Sequence, residues 1–230
     1  MNIHGLQKLT LVDFPGKTAA IIFSGSCNFR CPFCHNAALV LDPLSQPFYP
    51  EKDVLEFLKK RKNMLEGVVF TGGEPMLQKD LFEFAKKVKD LGYFVKLDTN
   101  GSFPEKLEKM IDQKLVDYVA MDIKNSLERY AKTIGLETFD TKPIKDSITL
   151  LKENRCDYEF RTTVVKELHD KKSFDDIGKL ITSCSRYFLQ SFVKSKDTIS
   201  QHLTPPTLEE MESYKNCLKT YIINVSIRDR

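Results

Sequence analysis

AAIIFSGSCNFRCPFCHN, Ala19 to Asn36, runs a short apolar, β-branched stretch straight into a polar loop that holds three cysteines. The apolar part, Ala19–Ser24, reads as a strand. The loop, Ser24–Asn36, separates Cys27, Cys31 and Cys34 by three residues and then by two. Thiolates are soft ligands suited to zinc or iron–sulfur centres, and gaps this short let one loop wrap a single centre. A structural zinc site is usually closed by four ligands, and an electron-transfer [4Fe-4S] cluster usually takes four cysteines. Here the next cysteine is Cys156. Three thiolates on a cluster leave one iron open to a substrate or cosubstrate. The competing reading is a zinc site with His35 as fourth ligand. It is disfavoured because His35 directly follows Cys34, and adjacent side chains seldom reach the same small ion. Three buried cysteines without a ligand role fit a polar, proline-containing loop still less well.

Outward from this loop the chain repeats strand, then helix. GVVFT (Gly67–Thr71), YFVKLDT (Tyr93–Thr99), VDYVAMDI (Val116–Ile123), DYEFRTTVV (Asp157–Val165) and RYFLQSFV (Arg186–Val193) read as further strands. Helical periodicity falls between them: Pro50–Leu65, Asp80–Leu91, near Glu105–Asp112, near Ser126–Lys132, Lys142–Asn154 and near Ser173–Cys184, with Leu208–Leu218 last. On the second of these, Leu81, Phe84, Ala85, Val88 and Leu91 share one face, and Gly92 stands where a helix end favours glycine. Strands joined by crossover helices predict an α/β fold with a parallel sheet and helices packed outside it. No linker or repeat interrupts the pattern, which predicts a single domain over 1–230; Pro205-Pro206 marks a loop.

The bulk composition bounds the function. With 41% hydrophobic and 29% charged residues, the chain can build a core. A net charge of +3 is too small to argue for nucleic acid or an anionic membrane surface. No apolar run approaches the roughly 20 residues of a membrane helix, and MNIHGLQKLTLVDFPG lacks the apolar stretch of an export signal. These features predict a cytoplasmic protein whose six cysteines are thiols, ligands or catalysts rather than disulfides. Cys156, Cys184 and Cys217 are scattered singly and read as small buried hydrophobes.

Unusual polar residues gather at the carboxyl ends of the expected strands, where parallel sheets bind ligands. Thr71-Gly72-Gly73-Glu74-Pro75 follows the second strand, Asp98-Thr99-Asn100-Gly101 the third, and Asp122 and Lys124 the fourth. Paired glycines let backbone approach a ligand closely. Each group also has an ordinary reading: a common Gly-Gly turn, a helix cap or turn at Asp98–Gly101, and a solvated ion pair for Asp122 and Lys124. Their shared placement argues for one site built from many loops.

The cysteine loop, with Phe33 just before its last cysteine, resembles the signature of the radical-SAM enzymes. That resemblance implies a [4Fe-4S] cluster on Cys27, Cys31 and Cys34, with the open iron bound by the amino and carboxylate groups of S-adenosylmethionine. One electron then cleaves the sulfonium to methionine and a 5′-deoxyadenosyl radical. It further implies that Phe33 lies by the adenine and that Gly72, Gly73 and Glu74 hold the methionine amino group. The rivals are a radical-SAM enzyme acting on a small molecule and a zinc-stabilised binding protein without redox chemistry.

LDTNG (Leu97–Gly101) and MDIKN (Met121–Asn125) are similar to the strand ends of glycyl-radical-enzyme activases. This implies contacts of Asp122 and Lys124 with the ribose and carboxylate side of S-adenosylmethionine. It also implies a monovalent cation, Na+ or K+, held by Asp98, Thr99, Asp122 and the Ala120 carbonyl. Arg161, alone on a β-branched strand, would either bind the cosubstrate's carboxylate or pair with an acidic neighbour. GLQKLTLVDFPGKTAAIIFSGSCNFRCPFCHN, residues 5–36, resembles the activating proteins of anaerobic ribonucleoside-triphosphate reductase. The implied fold is a partial (β/α)6 barrel. The implied partners are a glycyl-radical protein of that reductase class, reached through the barrel's lateral gap, and an electron donor such as flavodoxin or ferredoxin.

Overall fold

The structure, a computed structural model, describes residues 1–228. Its strands are β1 (Ile3–Thr10), β2 (Ala19–Ser24), β3 (Gly67–Gly72), β4 (Phe94–Thr99), β5 (Tyr118–Asp122), β6 (Asp157–Val164), β7 (Tyr187–Ser191) and β8 (Val225–Arg228). The helices are α1 (Ala37–Leu41), α2 (Glu51–Arg61), α3 (Leu81–Asp90), α4 (Pro104–Asp112), α5 (Tyr130–Thr133), α6 (Lys142–Lys152), α7 (Lys171–Leu180) and α8 (Leu208–Leu218). The strands form one sheet in sequence order from β1 to β8. From β2 to β8 every neighbouring pair is parallel, whereas β1 pairs antiparallel with β2. Among the described residues no ladder joins β8 back to β1, so the sheet is an open partial barrel.

The six expected strands are β2 to β7, and one further strand flanks them on each side. β8 is only four residues long, VSIR, too short for a periodic signal. In β1 three consecutive residues, Gln7, Lys8 and Leu9, are exposed, so apolar alternation is weak. Its antiparallel course follows from the tight return at its end. There the Thr10 hydroxyl bonds Asp13, and the Lys17 amide donates to the Phe14 carbonyl at 3.1 Å. A short loop of this kind can join only antiparallel neighbours. The segment after the cysteine loop also forms a short helix, α1, where the sequence had suggested none.

Side-chain alternation sorts the core into two parts. Ile22, Val68, Phe70, Val95 and Leu97 point outward under the helices, where Phe70 meets Phe84 of α3 with ring centroids 5.7 Å apart. Each such burial contributes about 1.5–3 kcal/mol. The residues between them point into the barrel. Ile21, Val69, Tyr118 and Ala120 pack there with Phe14 into a small apolar floor. Toward the carboxyl ends the inward positions turn polar: Lys96, Asp98, Asp122, Arg161 and Thr163 line the cavity. Ladder pairs Ser24↔Gly72, Thr99↔Met121 and Asp122↔Arg161 keep these ends level, so loops from five strands meet at one mouth. Among the described residues no helix is long and apolar enough to cross a membrane.

Candidate active site

The cysteine loop is clamped by backbone on two sides. The Gly73 amide donates to the Ser24 carbonyl, the Glu74 amide to the Ser26 carbonyl, and the Ser26 amide to the Leu39 carbonyl, each at 2.8 Å. Gly72, with φ +113°, and Gly73 leave no room for side chains: a Cβ on either would fall on the carbonyl oxygen of Ser24 or Ser26. The paired glycines therefore let the cysteine loop approach β3 closely. Side-chain amides complete the clamp: Asn36 donates to the Gly72 carbonyl and Gln78 to the Gly25 carbonyl, both at 2.8 Å.

Cys27, Cys31 and Cys34 line one cavity of about 740 Å³, together with Phe33 and the strand-end residues Gly72, Gly73, Asp98, Thr99, Asp122, Lys124 and Arg161. Burial pushes the Cys27 thiol up to about 11 and the Cys31 thiol to about 12, and raises Cys34 as well. The Lys124 ammonium opposes this at all three. The Phe29 amide and the Asn100 side chain also donate to Cys27 Sγ, at 3.4 and 3.8 Å. Such dry thiols stay protonated until a metal displaces the proton. His35 turns Nε2 to the Val193 carbonyl at 2.8 Å and packs its ring on Phe192. Among the described residues no group of three or more His, Cys, Asp and Glu stands close enough to ligate one metal ion. Three soft donors opening onto a cavity, with His35 turned to the Val193 carbonyl, fit a cluster with an open iron better than a zinc ion. Cys184 is buried in the main core and Cys156 packs against it; Cys217 is half-buried on α8.

Opposite the cysteines a row of alternating charges crosses three strands. Lys96 pairs with Asp98, and Arg161 bridges Asp98 at 3.3 Å and Asp122 at 3.1 Å. Lys124 closes the row on Asp122 at 2.9 Å, with its ammonium 5.8 Å from the centroid of the Phe33 ring. Burial would raise the Asp122 carboxyl, but Lys124 and Arg161 outweigh it and hold the group well below the usual carboxylate range. Lys124 and Arg161 are in turn held charged against burial by the aspartates. Arg161 pairs with two acidic neighbours and also lines the cavity. The Arg161 guanidinium stands between the two aspartates that were expected to hold a monovalent cation.

Glu74 is engaged within the protein. Its side chain is 1% exposed and does not line the cavity. One oxygen accepts the Met76 amide at 3.0 Å and the Thr99 hydroxyl at 2.9 Å; the other accepts the Asn100 amide at 2.7 Å. These bonds tie the loop after β3 to the end of β4 through the Glu74 carboxylate. Burial lifts its pKa to about 7, against the three hydrogen bonds it accepts.

Four residues of this assembly were given no site role in the sequence reading. Lys96 is an ordinary lysine until β4's register turns it inward. Asn28 and Asn100 bond each other at 2.9 Å and join the cysteine loop to the end of β4. His169 donates from Nε2 to the Lys124 carbonyl at 2.8 Å and accepts the Val165 amide at Nδ1, fixing the loop that carries Lys124. Only the strand-end position of Asn100 could have pointed to one of them.

Comparison with known proteins agrees with this geometry. Residues 21–180 match the family model of the radical SAM superfamily. A Methanocaldococcus jannaschii protein, provisionally named a glycyl-radical enzyme activating enzyme, is 35% identical over 98% of this chain and 95% of its own length. The pyruvate formate-lyase-activating enzyme of Listeria monocytogenes is 29% identical over 87% of this chain and 82% of its own. Among solved structures, Streptococcus suis SuiB bound to S-adenosylmethionine superposes with a TM-score of 0.71 at 14% identity, covering 91% of this chain and 49% of that one. The chain belongs to the radical SAM superfamily and is homologous to glycyl-radical enzyme activating enzymes.

Proposed function

We propose that this protein activates a glycyl-radical enzyme, and that its target is an anaerobic ribonucleoside-triphosphate reductase. The observation that carries the reading is the shared cavity. Three thiols and a row of charged strand-end residues open onto it, and the sheet around it is unclosed between β1 and β8. Cys27, Cys31 and Cys34 would hold a [4Fe-4S] cluster. That group, when bound and reduced by a donor such as flavodoxin or ferredoxin, supplies the electron that cleaves S-adenosylmethionine to methionine and a 5′-deoxyadenosyl radical.

The chain's own residues bind, orient and exclude water. Phe33, buried beneath the Lys124 ammonium, offers an apolar face for the adenine. Arg161 and Lys124 present positive charge toward the cosubstrate's carboxylate, while Asp122 keeps both charged. Thr99 and Asp98 sit at the end of β4, which Glu74 anchors. Gly72 and Gly73 act through the clamp that fixes the cysteines. The partner's glycine would enter by the lateral gap and give up a Cα hydrogen to the 5′-deoxyadenosyl group.

Homology to proteins named as glycyl-radical activases supports the class. The reductase as target rests on the resemblance of residues 5–36. A second reading, activation of a pyruvate formate-lyase-type enzyme, is favoured by the Listeria relative, whose match spans most of both chains. Deuterium separates them. With a reductase carrying deuterated glycine, 5′-deoxyadenosine should gain deuterium; deuterium gained only from a pyruvate formate-lyase would move the target to the second reading.

A further inference from the structure

The two aspartates at the cavity mouth have no idle oxygen. Asp98 gives Oδ1 to Lys96 Nζ and Oδ2 to Arg161 Nη1 at 3.3 Å. Asp122 gives Oδ1 to Arg161 Nε at 3.1 Å and Oδ2 to Lys124 Nζ at 2.9 Å. The Thr99 hydroxyl donates to Glu74 at 2.9 Å and accepts the Gly101 amide at 3.2 Å. A hard cation needs several oxygens to replace its water; here each carboxylate oxygen already meets a side-chain nitrogen, and the Thr99 hydroxyl is engaged by Glu74 and the Gly101 amide.

Lys96 is the member of the row for which the site has no other use. It stands on the inward face of β4, lines the cavity, and is 2% exposed. Burying an ammonium is costly unless a carboxylate receives it, and Asp98 does. Three side-chain cations against two carboxylates leave the row with one positive charge in excess. The mutual repulsion of the aspartates, and their repulsion of a ligand carboxylate, is thereby offset from within the protein.

We propose that Lys96 is the resident counter-cation of this site: with Arg161 between the two aspartates, its ammonium on Asp98 supplies the charge that a bound monovalent metal ion would bring, so that S-adenosylmethionine binds equally well with or without sodium or potassium. Lys96 is thus a positioning residue that acts through Asp98. The inference rests on the reading that the cosubstrate binds in this cavity.

The test is S-adenosylmethionine binding to the cluster-loaded protein, followed by calorimetry under anaerobic conditions. Sodium, potassium or tetramethylammonium is the only added cation, at one ionic strength. Tetramethylammonium is too bulky to coordinate carboxylates closely. The unmodified protein should bind with affinities equal within about twofold in all three salts. Lys96→Met should lose about tenfold or more in tetramethylammonium and recover part of that loss in sodium or potassium. Lys96→Arg should remain indifferent to the salt. A fall of about tenfold for the unmodified protein in tetramethylammonium would overturn the proposal. So would a Lys96→Met protein that binds as tightly as the unmodified one in every salt. If Lys96→Met does not load its cluster, the unmodified protein's salt series decides alone. Absence of S-adenosylmethionine binding in every salt would instead remove the cavity reading on which the inference stands.

Discussion

The Thr99 hydroxyl donates to Glu74 Oε1 at 2.9 Å, joining the end of β4 to the loop after β3. Glu74 is the centre of three such bonds, so its removal strands the Asn100 and Met76 amides without acceptors. Each buried donor left unsatisfied costs about 1–3 kcal/mol. Glu74→Ala should therefore lower apo-protein stability by about 2–4 kcal/mol in urea unfolding. A loss of cosubstrate affinity with no loss of stability would show that the carboxylate contacts the ligand directly.

The same group makes a pH prediction. Glu74 is an acid whose pKa rises from 4.5 to about 7 on folding. The folded state then binds a proton that the unfolded state has released. Its contribution to stability should fall as pH rises from about 4.5 to about 7, by up to about 1.4 kcal/mol per pH unit, and level off above. Glu74→Gln should lack that slope, as urea midpoints at pH 5, 6, 7 and 8 would reveal. Parallel pH profiles for the two proteins would contradict the assignment.

His169 should act in the opposite sense. Burial lowers its pKa from the ordinary 6.5, against its bonds to Lys124 and Val165. The unfolded chain takes up the proton first as pH falls through about 6.5, so stability present above that pH is lost below it. Gln can donate to the Lys124 carbonyl and accept the Val165 amide. His169→Gln should keep the loop at pH 7.5 and flatten the acid-side loss of stability. An acid limb as steep as that of the unmodified protein would mean that another group carries it.

Gly73→Ala tests the clamp without touching a cysteine. Its new Cβ would collide with the Ser26 carbonyl, and that oxygen belongs to backbone that cannot swing aside as a side chain does. The cysteine loop must shift, so iron retained after anaerobic reconstitution should fall by about half or more while the fold persists by circular dichroism. Full iron content in this variant would show that the loop tolerates displacement. In the same assay Cys27→Ala, Cys31→Ala and Cys34→Ala should each lose the cluster, and Cys156→Ala, Cys184→Ala and Cys217→Ala should keep it.

Much of this site was legible in the sequence because chemistry and strand ends coincide. Spacing alone brought Cys27, Cys31 and Cys34 together, and short apolar, β-branched runs located β2 to β7. What stayed hidden depends on register and long-range closure. Lys96 looks like any surface lysine; only pairing of β4 between β3 and β5 turns it inward. Glu74 carries the right motif, yet its partners Thr99 and Asn100 lie on another strand, so burial and not sequence decides that its oxygens are spent. The edge strands escaped because β1 exposes its middle and β8 is a single short run.

The most direct test of the account is electron paramagnetic resonance on reduced, cluster-loaded protein mixed with S-adenosylmethionine and an anaerobic ribonucleoside-triphosphate reductase from the same organism. The account predicts a glycyl-radical doublet on the reductase. That signal should vanish when the reductase's radical-bearing glycine is replaced by alanine, or when Cys31 of the activating chain is replaced by alanine. Steady release of 5′-deoxyadenosine with no protein radical on that partner would contradict it.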